Sequence, residues 1–118
     1  MKAELKSLHC ADVYDLSNFI SHEHDNFFIY VEMLIGPKNE EAGDIFGVNI
    51  CTPKWLLDNM KEEDIFFARH YLIVKEYDYV RIYNHIKKYV ENIEEDTWEE
   101  IALKLSRIGY WEFEDYEE

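Results

Sequence analysis

The pattern of apolar and polar positions changes along the chain, from short strand-like runs in the first half to helical spacing in the second. Residues 2–9 alternate loosely, with Ala3 and Leu5 on one face, and are predicted to form a first strand. The run Phe27–Ile35 holds a single charged residue, Glu32, among aromatic and β-branched residues. Such a run predicts a central strand that is covered on both faces.

Turn residues and further short runs follow this strand. Gly36–Gly43 is rich in turn-forming residues, and 45–51 then alternates as the second strand of a hairpin. Thr52 and Pro53 begin a short helix through Met60, because Thr can cap free amides and Pro suits the first helical position. Two more segments complete this half: 69–75 is predicted to be a strand, and 12–21 a turn or short helix.

Two amphipathic helices are predicted in the C-terminal half. Asp78 can cap the first, whose apolar and aromatic positions recur at helical spacing: Tyr79, Ile82, Tyr83, Ile86, Tyr89, Val90 and Ile93. Before the second helix, 96–99 resembles a capping box with Asp96 in the cap role and Glu99 at the third helical position. That helix turns five residues inward: Trp98, Ile101, Ala102, Leu105 and Ile108. Gly109 then suits a left-handed cap.

This order of elements, strands first and helices later, predicts the fold class. We expect one α+β domain over residues 1–118, in which the C-terminal helices pack on one face of a mainly antiparallel sheet. No apolar run is long enough to span a bilayer, and the N-terminal residues lack the apolar region of a secretory signal, so we expect a cytoplasmic protein. Cys10 and Cys51 suit that compartment as free thiols, and a disulfide is the alternative.

The acidic residues are concentrated near the C-terminus. The chain of 118 residues has a net charge of −14, and the segment Glu91–Glu118 carries −9 of it, with 11 acidic and two basic residues. Aromatic residues are interleaved with the acid: Trp98, Tyr110, Trp111, Phe113 and Tyr116. Such a surface disfavours nucleic acid and anionic lipid and favours a basic protein, since charge steers the encounter and aromatic side chains supply buried contact. Acid that serves only solubility is the alternative.

Residues 110–116 alternate like a strand, or like an extended tail held by two aromatic side chains. The alternation sends Trp111 and Phe113 toward the body of the protein and the intervening residues toward a partner. The predicted partner-binding residues are Tyr110, Glu112, Glu114, Asp115 and Tyr116, together with Glu91, Glu94 and Glu95 of the preceding acidic stretch. The acidic loop 61–64 is a further candidate.

Metal-binding and nucleophilic groups are sparse. His22 and His24, on either side of Glu23, could face one way on a strand, but a protein metal site needs three or four ligands, and a solvated loop is the favoured interpretation. Cys10 and His70 could supply a thiol and a base, although a small buried thiol is more typical of packing. We therefore expect no metal and no cofactor.

Acid–base and phosphate-binding motifs are equally weak. Neighbouring carboxylates such as Glu94 and Glu95, or Glu112 and Glu114, lie in a dense run of like charge, which is typical of a solvated face. Acid–base catalysis would need a pocket that separates the pKa values of the two groups. The four glycines form no phosphate-binding loop, dinucleotide fingerprint or nucleophile elbow. We therefore expect a protein that is not an enzyme.

Five short pieces occur in order along the chain: GPK at 36–38, CTPKWLL at 51–57, RHYLIV at 69–74, DTWEEI at 96–101 and RIGYWEF at 107–113. Taken together, they resemble the immunity protein 8 family. The resemblance covers nearly the whole chain, although SHEH at 21–24 is not part of it. It implies a small cytoplasmic protein, encoded beside a polymorphic or contact-dependent toxin of bacteria, that binds and blocks the cognate toxin domain. It carries over no set of toxin-contacting residues.

Charge and resemblance together predict a protein that inhibits a toxin C-terminal domain by stoichiometric binding, without chemistry. A nuclease is the expected kind of toxin, because a nuclease carries positive charge to hold its substrate. One alternative is an acidic regulator that mimics nucleic acid and sequesters a basic nucleic-acid-binding protein. A small enzyme is a third candidate. The oligomeric state is left open.

Overall fold

The computed structural model describes residues 1–19 and 23–114, which form a mainly antiparallel sheet with helices beside it. The strands are β1 (Ala3–His9), β2 (Phe28–Pro37), β3 (Asp44–Cys51), β4 (Tyr71–Ile73) and β5 (Tyr110–Trp111). They lie in the order β1–β2–β3–β4, with β5 also paired to β3. The helices are α1 (Pro53–Asn59), α2 (Tyr79–Glu91) and α3 (Trp98–Leu105), preceded by a 3₁₀ turn at Leu16–Asn18. The predicted α+β class is confirmed.

The predicted hairpin of β2 and β3 is confirmed. Residues Phe28 to Ile35 pair in antiparallel register with Cys51 back to Asp44. β1 adds to the other edge of β2, also antiparallel. The predicted strand 69–75 is confirmed only for its centre, β4, which runs parallel to the end of β3.

One face of the sheet carries the hydrophobic core. Side chains at alternate positions of β2 and β3 are buried there: Ile29, Val31, Met33, Ile35, Phe46, Val48 and Ile50. The helices contribute Ile82, Ile86 and Val90 from α2 and Ile101, Ala102 and Leu105 from α3 to the same cluster. The prediction that the C-terminal helices pack on one face of the sheet is therefore confirmed.

The opposite face is only partly covered, and the prediction that β2 is covered on both faces is wrong. On this face Tyr30 is 44% exposed, although it lies in the middle of β2. The ring of Trp55 from α1 stacks on Phe28 with centroids 4.6 Å apart, and α1 has no buried residue. The composition of the run misleads because tyrosine and phenylalanine suit a water-facing strand position as well as a core position.

Two of the three predicted helix starts are confirmed. The hydroxyl of Thr52 accepts a hydrogen bond from the Trp55 amide at 3.3 Å, with Pro53 as the first helical residue. The carboxylate of Asp78 accepts from the Arg81 amide at 3.2 Å at the start of α2. Each cap satisfies an amide that has no partner within its own helix.

The start of α3 lies one residue later than predicted. Thr97, rather than Asp96, is the cap, and its Oγ1 accepts a hydrogen bond from the Glu100 amide at 3.2 Å. Glu100 therefore takes the third helical position that was assigned to Glu99. The shift places Trp98 at the first helical position, from which its indole reaches the sheet.

Gly109 is not the left-handed cap that was predicted, because no glycine among the described residues has a positive φ. The position needs glycine for close packing instead. A Cβ there would lie 2.8 Å from Met33 Cε and 3.0 Å from Phe46 Cβ. The missing side chain lets the chain leave α3 across the sheet and enter β5.

The polar segment 12–21 forms the short helical turn at Leu16–Asn18, with Asp15 as its cap. The rest of that prediction, at Ile20 and Ser21, lies outside the described residues. Among the helices of residues 1–19 and 23–114, none is both long and apolar enough to cross a membrane.

Candidate functional site

The acidic C-terminal segment is docked on the sheet through β5. Trp111 pairs with Phe46 and Tyr110 with Gly47. The next residue, Glu112, donates its amide to the Ile45 carbonyl at 3.1 Å and accepts the Ile45 amide on its own carboxylate at 3.0 Å. Glu112 therefore takes part in the strand pairing while its side chain remains exposed at the sheet edge.

Two indole rings meet at one carboxylate oxygen. Asp44 Oδ2 accepts hydrogen bonds from Nε1 of Trp98 at 2.8 Å and from Nε1 of Trp111 at 3.0 Å. The Trp111 ring also stacks on Phe46, with centroids 6.4 Å apart. Asp44 thus ties the first residue of α3 and β5 to the beginning of β3, and the prediction that Trp111 faces the body of the protein is confirmed.

The predicted alternation ends at Trp111. The Glu114 amide donates to the Trp111 carbonyl at 3.0 Å, which closes a turn over 111–114. Phe113 lies on this turn, 44% exposed, and its ring meets that of Trp111 edge-on at 5.9 Å, so it packs on the anchoring residue and does not follow the predicted alternation. A strand that stops after two residues cannot carry a two-residue alternation further along the chain.

The end of the segment is tied to the chain just before β4. Both terminal nitrogens of Arg69 donate to the carboxylate of Glu114. The hydroxyl of Tyr110 donates to the Arg69 carbonyl at 3.1 Å, and its ring meets His70 edge-on at 4.2 Å. The hydrogen bonds from Arg69 lower the pKa of Glu114 below its ordinary value. Glu114 is therefore ionised at neutral pH and partly neutralised within the chain.

The acidic stretch 91–95 lies at the start of β1. The backbone of Glu94 forms an isolated β-bridge with Lys2, and the Glu94 carboxylate lies 3.8 Å from the Lys2 ammonium group. The Glu95 amide donates to the Met1 carbonyl, and its side chain pairs with Lys104, whose hydrogen bond lowers the pKa of Glu95. Glu91 is half-buried at the C-terminal end of α2.

The predicted partner-binding residues therefore fall into two groups. Tyr110, Glu112 and Glu114 lie together beside β3, whereas 91–95 meets β1, and β2 separates these two strands. Neighbouring strands are about 4.8 Å apart, so the groups lie roughly 10 Å or more from each other across the sheet. Asp115 and Tyr116 lie outside the described residues.

Exposed apolar residues next to the candidate loop 61–64 were missed by the sequence interpretation. Ile65 and Phe67 are 96% and 99% exposed, and Phe66 lies between them. The signal was three consecutive large apolar residues in a stretch with neither helical nor strand periodicity. Tyr30, on the partly covered face of β2, was missed because the run that contains it was assigned to the core.

The candidate nucleophile, Cys10, is a buried free thiol in the hydrophobic core. The candidate base, His70, is also buried, its Nε2 lies 2.5 Å from the Ser106 carbonyl oxygen, and its Nδ1 has no partner among the described residues. Burial lowers the pKa of His70. Cys51, the other cysteine, is likewise a buried free thiol, and burial raises its pKa. Within residues 1–19 and 23–114, no group of three or more His, Cys, Asp or Glu side chains is arranged to hold a metal. His22, which with His24 formed the candidate pair of metal ligands, lies outside the described residues.

Comparison with known proteins identifies the family. Searches of curated proteins and of solved structures return no match. A family model described as Immunity protein 8 matches residues 3–116. The match spans all five strands and all three α-helices, including the docked C-terminal segment. The chain therefore belongs to the immunity protein 8 family.

Proposed function

We propose that this immunity protein neutralises the C-terminal domain of a cognate bacterial toxin by binding it stoichiometrically, without any chemical step. Family membership supports the general class, a protein of a toxin–immunity system. The observation that supports the finer claim is the docked acidic segment, in which Tyr110, Glu112 and Glu114 are held together beside β3. Aromatic and acidic groups in one place suit a basic protein surface.

The charge of the chain supports a basic toxin domain, of which a nuclease is the expected kind. The net charge is −14, and a nuclease needs cationic side chains to hold a phosphate backbone. Opposite fields accelerate association, to about 10⁸ M⁻¹s⁻¹ or more at low salt. Fast capture would protect the cytoplasm, where we place this protein, before much substrate is cut.

The docking of the segment supports inhibition by a preformed surface. The pairing of β5 with β3 and the two indole contacts of Asp44 hold the backbone before any partner arrives. A preformed surface loses less conformational entropy on binding than a flexible tail does. The toxin would be blocked because its substrate site or the rim of that site is covered.

Growth of cells that express the toxin domain encoded beside this gene tests the proposal. Co-expression of this protein should restore growth, and the purified pair should form a one-to-one complex in which toxin activity is lost. The control is Trp111→Ala, which removes the stacking on Phe46 and the bond to Asp44 and should lower melting temperature and protection together. Toxicity that is unchanged by the parent protein at equal expression would refute the proposed function.

A further inference from the structure

The sheet face opposite the helices carries a row of tyrosines. Tyr30 of β2, Asn49 of β3 and Tyr71 of β4 are register neighbours, so their side chains project from the same face. Tyr110 of β5 joins this face, because its register partner Gly47 is two residues before Asn49. A water-facing side of an antiparallel sheet normally carries polar residues, so aromatic side chains on three of these strands need an explanation.

Gly47 lets one of these rings lie flat across the sheet. A Cβ at Gly47 would lie 1.7 Å from the hydroxyl oxygen of Tyr30 and 2.4 Å from its Cζ. The Tyr30 ring therefore crosses β3 toward Tyr110 and presents its outer side to solvent.

The loop before β4 extends this surface. The Phe66 ring lies 6.1 Å from the Tyr71 ring, and Ile65 and Phe67 on either side of it are almost wholly exposed. Contiguous exposed apolar groups of this kind mark interaction sites in soluble proteins. We call these six residues the open-face patch: Tyr30, Ile65, Phe66, Phe67, Tyr71 and Tyr110.

Carboxylates border the open-face patch. Glu32 lies on the same face of β2, two residues from Tyr30 and opposite Gly47. Glu62 and Glu63 are exposed in the loop, separated from its apolar part only by Asp64. The acidic C-terminal segment borders the patch at Tyr110, where the Arg69 guanidinium lies 5.9 Å from the ring centroid and is paired with Glu114. An aromatic centre within an acidic border has the anatomy of a protein interface for a cationic partner.

We infer that the open-face patch is the centre of the toxin interface, and that its occupant is a protein domain presenting an apolar patch ringed by Lys and Arg. This inference rests on the proposed function and moves the main contact from the C-terminal carboxylates to the sheet and the 65–67 loop. Glu112 and Glu114 then belong to the border. Both already make hydrogen bonds within the chain, so they have less capacity to pair with a partner.

The charges disfavour two other occupants. A second copy of this chain would bring acidic borders together, each on a chain of net charge −14, and like charges across an interface oppose association. The same carboxylates would be repelled by anionic lipid headgroups. A basic protein is the occupant that the border attracts.

Affinity for the neighbouring toxin domain, made catalytically inactive, tests the patch with the full-length protein. The variant combines Ile65→Ser and Phe67→Ser, which change only nearly fully exposed side chains. The matched control is Leu103→Ser, whose side chain is 65% exposed on α3, in the helical layer. The double variant should raise Kd by about 30-fold or more, as loss of central interface residues does. The control should change Kd by less than about threefold, because Leu103 lies outside the proposed interface.

The outcomes separate this inference from the proposed function. If the parent binds and protects while the double variant binds equally well, the patch is not the interface, and the proposed function stands. If the parent neither binds nor protects, the proposed function and this inference are both overturned. An equal loss in Leu103→Ser would also overturn the patch. Light scattering completes the test, since a parent dimer that the double variant dissolves would make a second copy the occupant.

Discussion

The guanidinium of Arg69 holds the carboxylate of Glu114 with two hydrogen bonds, one of them 3.0 Å long between Nη1 and Oε2. This pair fastens the last described residue of the C-terminal segment to the chain just before β4. A residue predicted to contact a partner therefore also holds its own segment in place. Stability and affinity have to be measured side by side for every variant of this segment.

Reversing the charge of Glu112 and Glu114 should affect binding more than folding. The double change to Lys removes the ion pair of Glu114 with Arg69 and the hydrogen bond that Glu112 accepts from the Ile45 amide, and at exposed positions each contributes about 1 kcal/mol or less to the free energy of unfolding. Affinity for the toxin domain should fall, modestly if both lie at the border of the interface and by about 2–5 kcal/mol if either is fully paired in the complex.

The control for this charge reversal is Glu76→Lys, an exposed change of the same sign in the loop before α2. Melting temperature and Kd are measured for both variants. If the double Lys variant binds and protects like the parent, the carboxylates of the C-terminal segment have no part in the interface.

Association with the toxin domain should slow as salt rises, because the chain carries −14. Between about 50 and 500 mM the Debye length shrinks from more than 10 Å to about 4 Å. The dissociation rate should change less, since short-range packing determines it. Stopped-flow association and dissociation measurements across that range test this.

The variant that combines Ile65→Ser and Phe67→Ser is the informative comparison in the salt series. It changes no charge, so its association rate should keep the salt dependence of the parent while its dissociation is faster. An association rate of the parent that does not depend on salt would refute steering by the acidic surface.

Truncating Trp98 should destabilise the fold. Its indole is half-buried and donates to Asp44, so Trp98→Ala should lower the free energy of unfolding by about 3 kcal/mol, the lower end for a buried aromatic residue. Trp98→Phe, which removes only the hydrogen bond and part of the ring, should cost about 1 kcal/mol. Tyr14→Ala, a truncation of a fully exposed ring, is the control. Urea unfolding that is the same for Trp98→Ala and the control would place Trp98 outside the packed core.

The sequence predicted elements whose signal is local. The caps at Thr52 and Asp78 and the apolar stripe of α2 are examples, because cap chemistry and helical spacing depend on a few neighbouring residues. Gly109 was misassigned because its role depends on contacts with Met33 and Phe46, which are distant along the chain. The uncovered face of β2 could not be predicted from its composition, since which face the helices cover is decided by tertiary packing.

The candidate site divides in the same way. Acidic and aromatic composition identified the C-terminal segment, but not the hydrogen bonds that Glu112 and Glu114 make to Ile45 and Arg69. Those partners lie 67 and 45 residues away along the chain. The local alternation of side chains therefore could not show how far the charge of these two carboxylates is compensated by partners within the fold.

Lowering the pH below about 6.5 should destabilise the protein through His70. Burial lowers the pKa of the folded-state imidazole, with a smaller lowering by Arg69 and opposing effects of the Ser106 carbonyl and Glu114. The unfolded chain binds this proton near its ordinary pKa of about 6.5, whereas the folded chain binds it only at lower pH. The unfolded state therefore binds more protons in that window, and the free energy of unfolding falls as pH falls.

The variant that isolates this effect is His70→Asn. His70 has a φ of 62°, and Asn tolerates that left-handed conformation better than most residues. The loss of stability between pH 7.5 and 5.5 should be smaller in this variant than in the parent. His85→Asn, at an exposed position of α2, is the matched control. An unchanged slope in His70→Asn would assign the effect to other groups.

Adding a methyl group at Gly47 should move Tyr30 while the fold survives. The methyl carbon would overlap the Tyr30 hydroxyl oxygen, at 1.7 Å, so the ring must rotate off the sheet. The overlap is with the far end of a side chain, and the φ of Gly47 is not positive, so Gly47→Ala should change the free energy of unfolding by no more than about 1 kcal/mol. Burial raises the pKa of the Tyr30 hydroxyl, and this pKa should fall toward the ordinary value of about 10 when the ring moves into water.

The same substitution tests whether the flat ring matters for binding. If Tyr30 contacts the toxin in its flat position, Gly47→Ala should weaken the complex about as much as Tyr30→Ser does. Adding Gly47→Ala to Tyr30→Ser should then cause little further loss, because both changes remove one contact and their effects are not additive. Kd for the three variants, with ultraviolet titration of the tyrosines and Tyr30→Phe to assign the shifted hydroxyl, completes the cycle. Additive losses would mean that Gly47 acts on binding by some route other than Tyr30, and a displaced ring with unchanged affinity would place Tyr30 outside the interface.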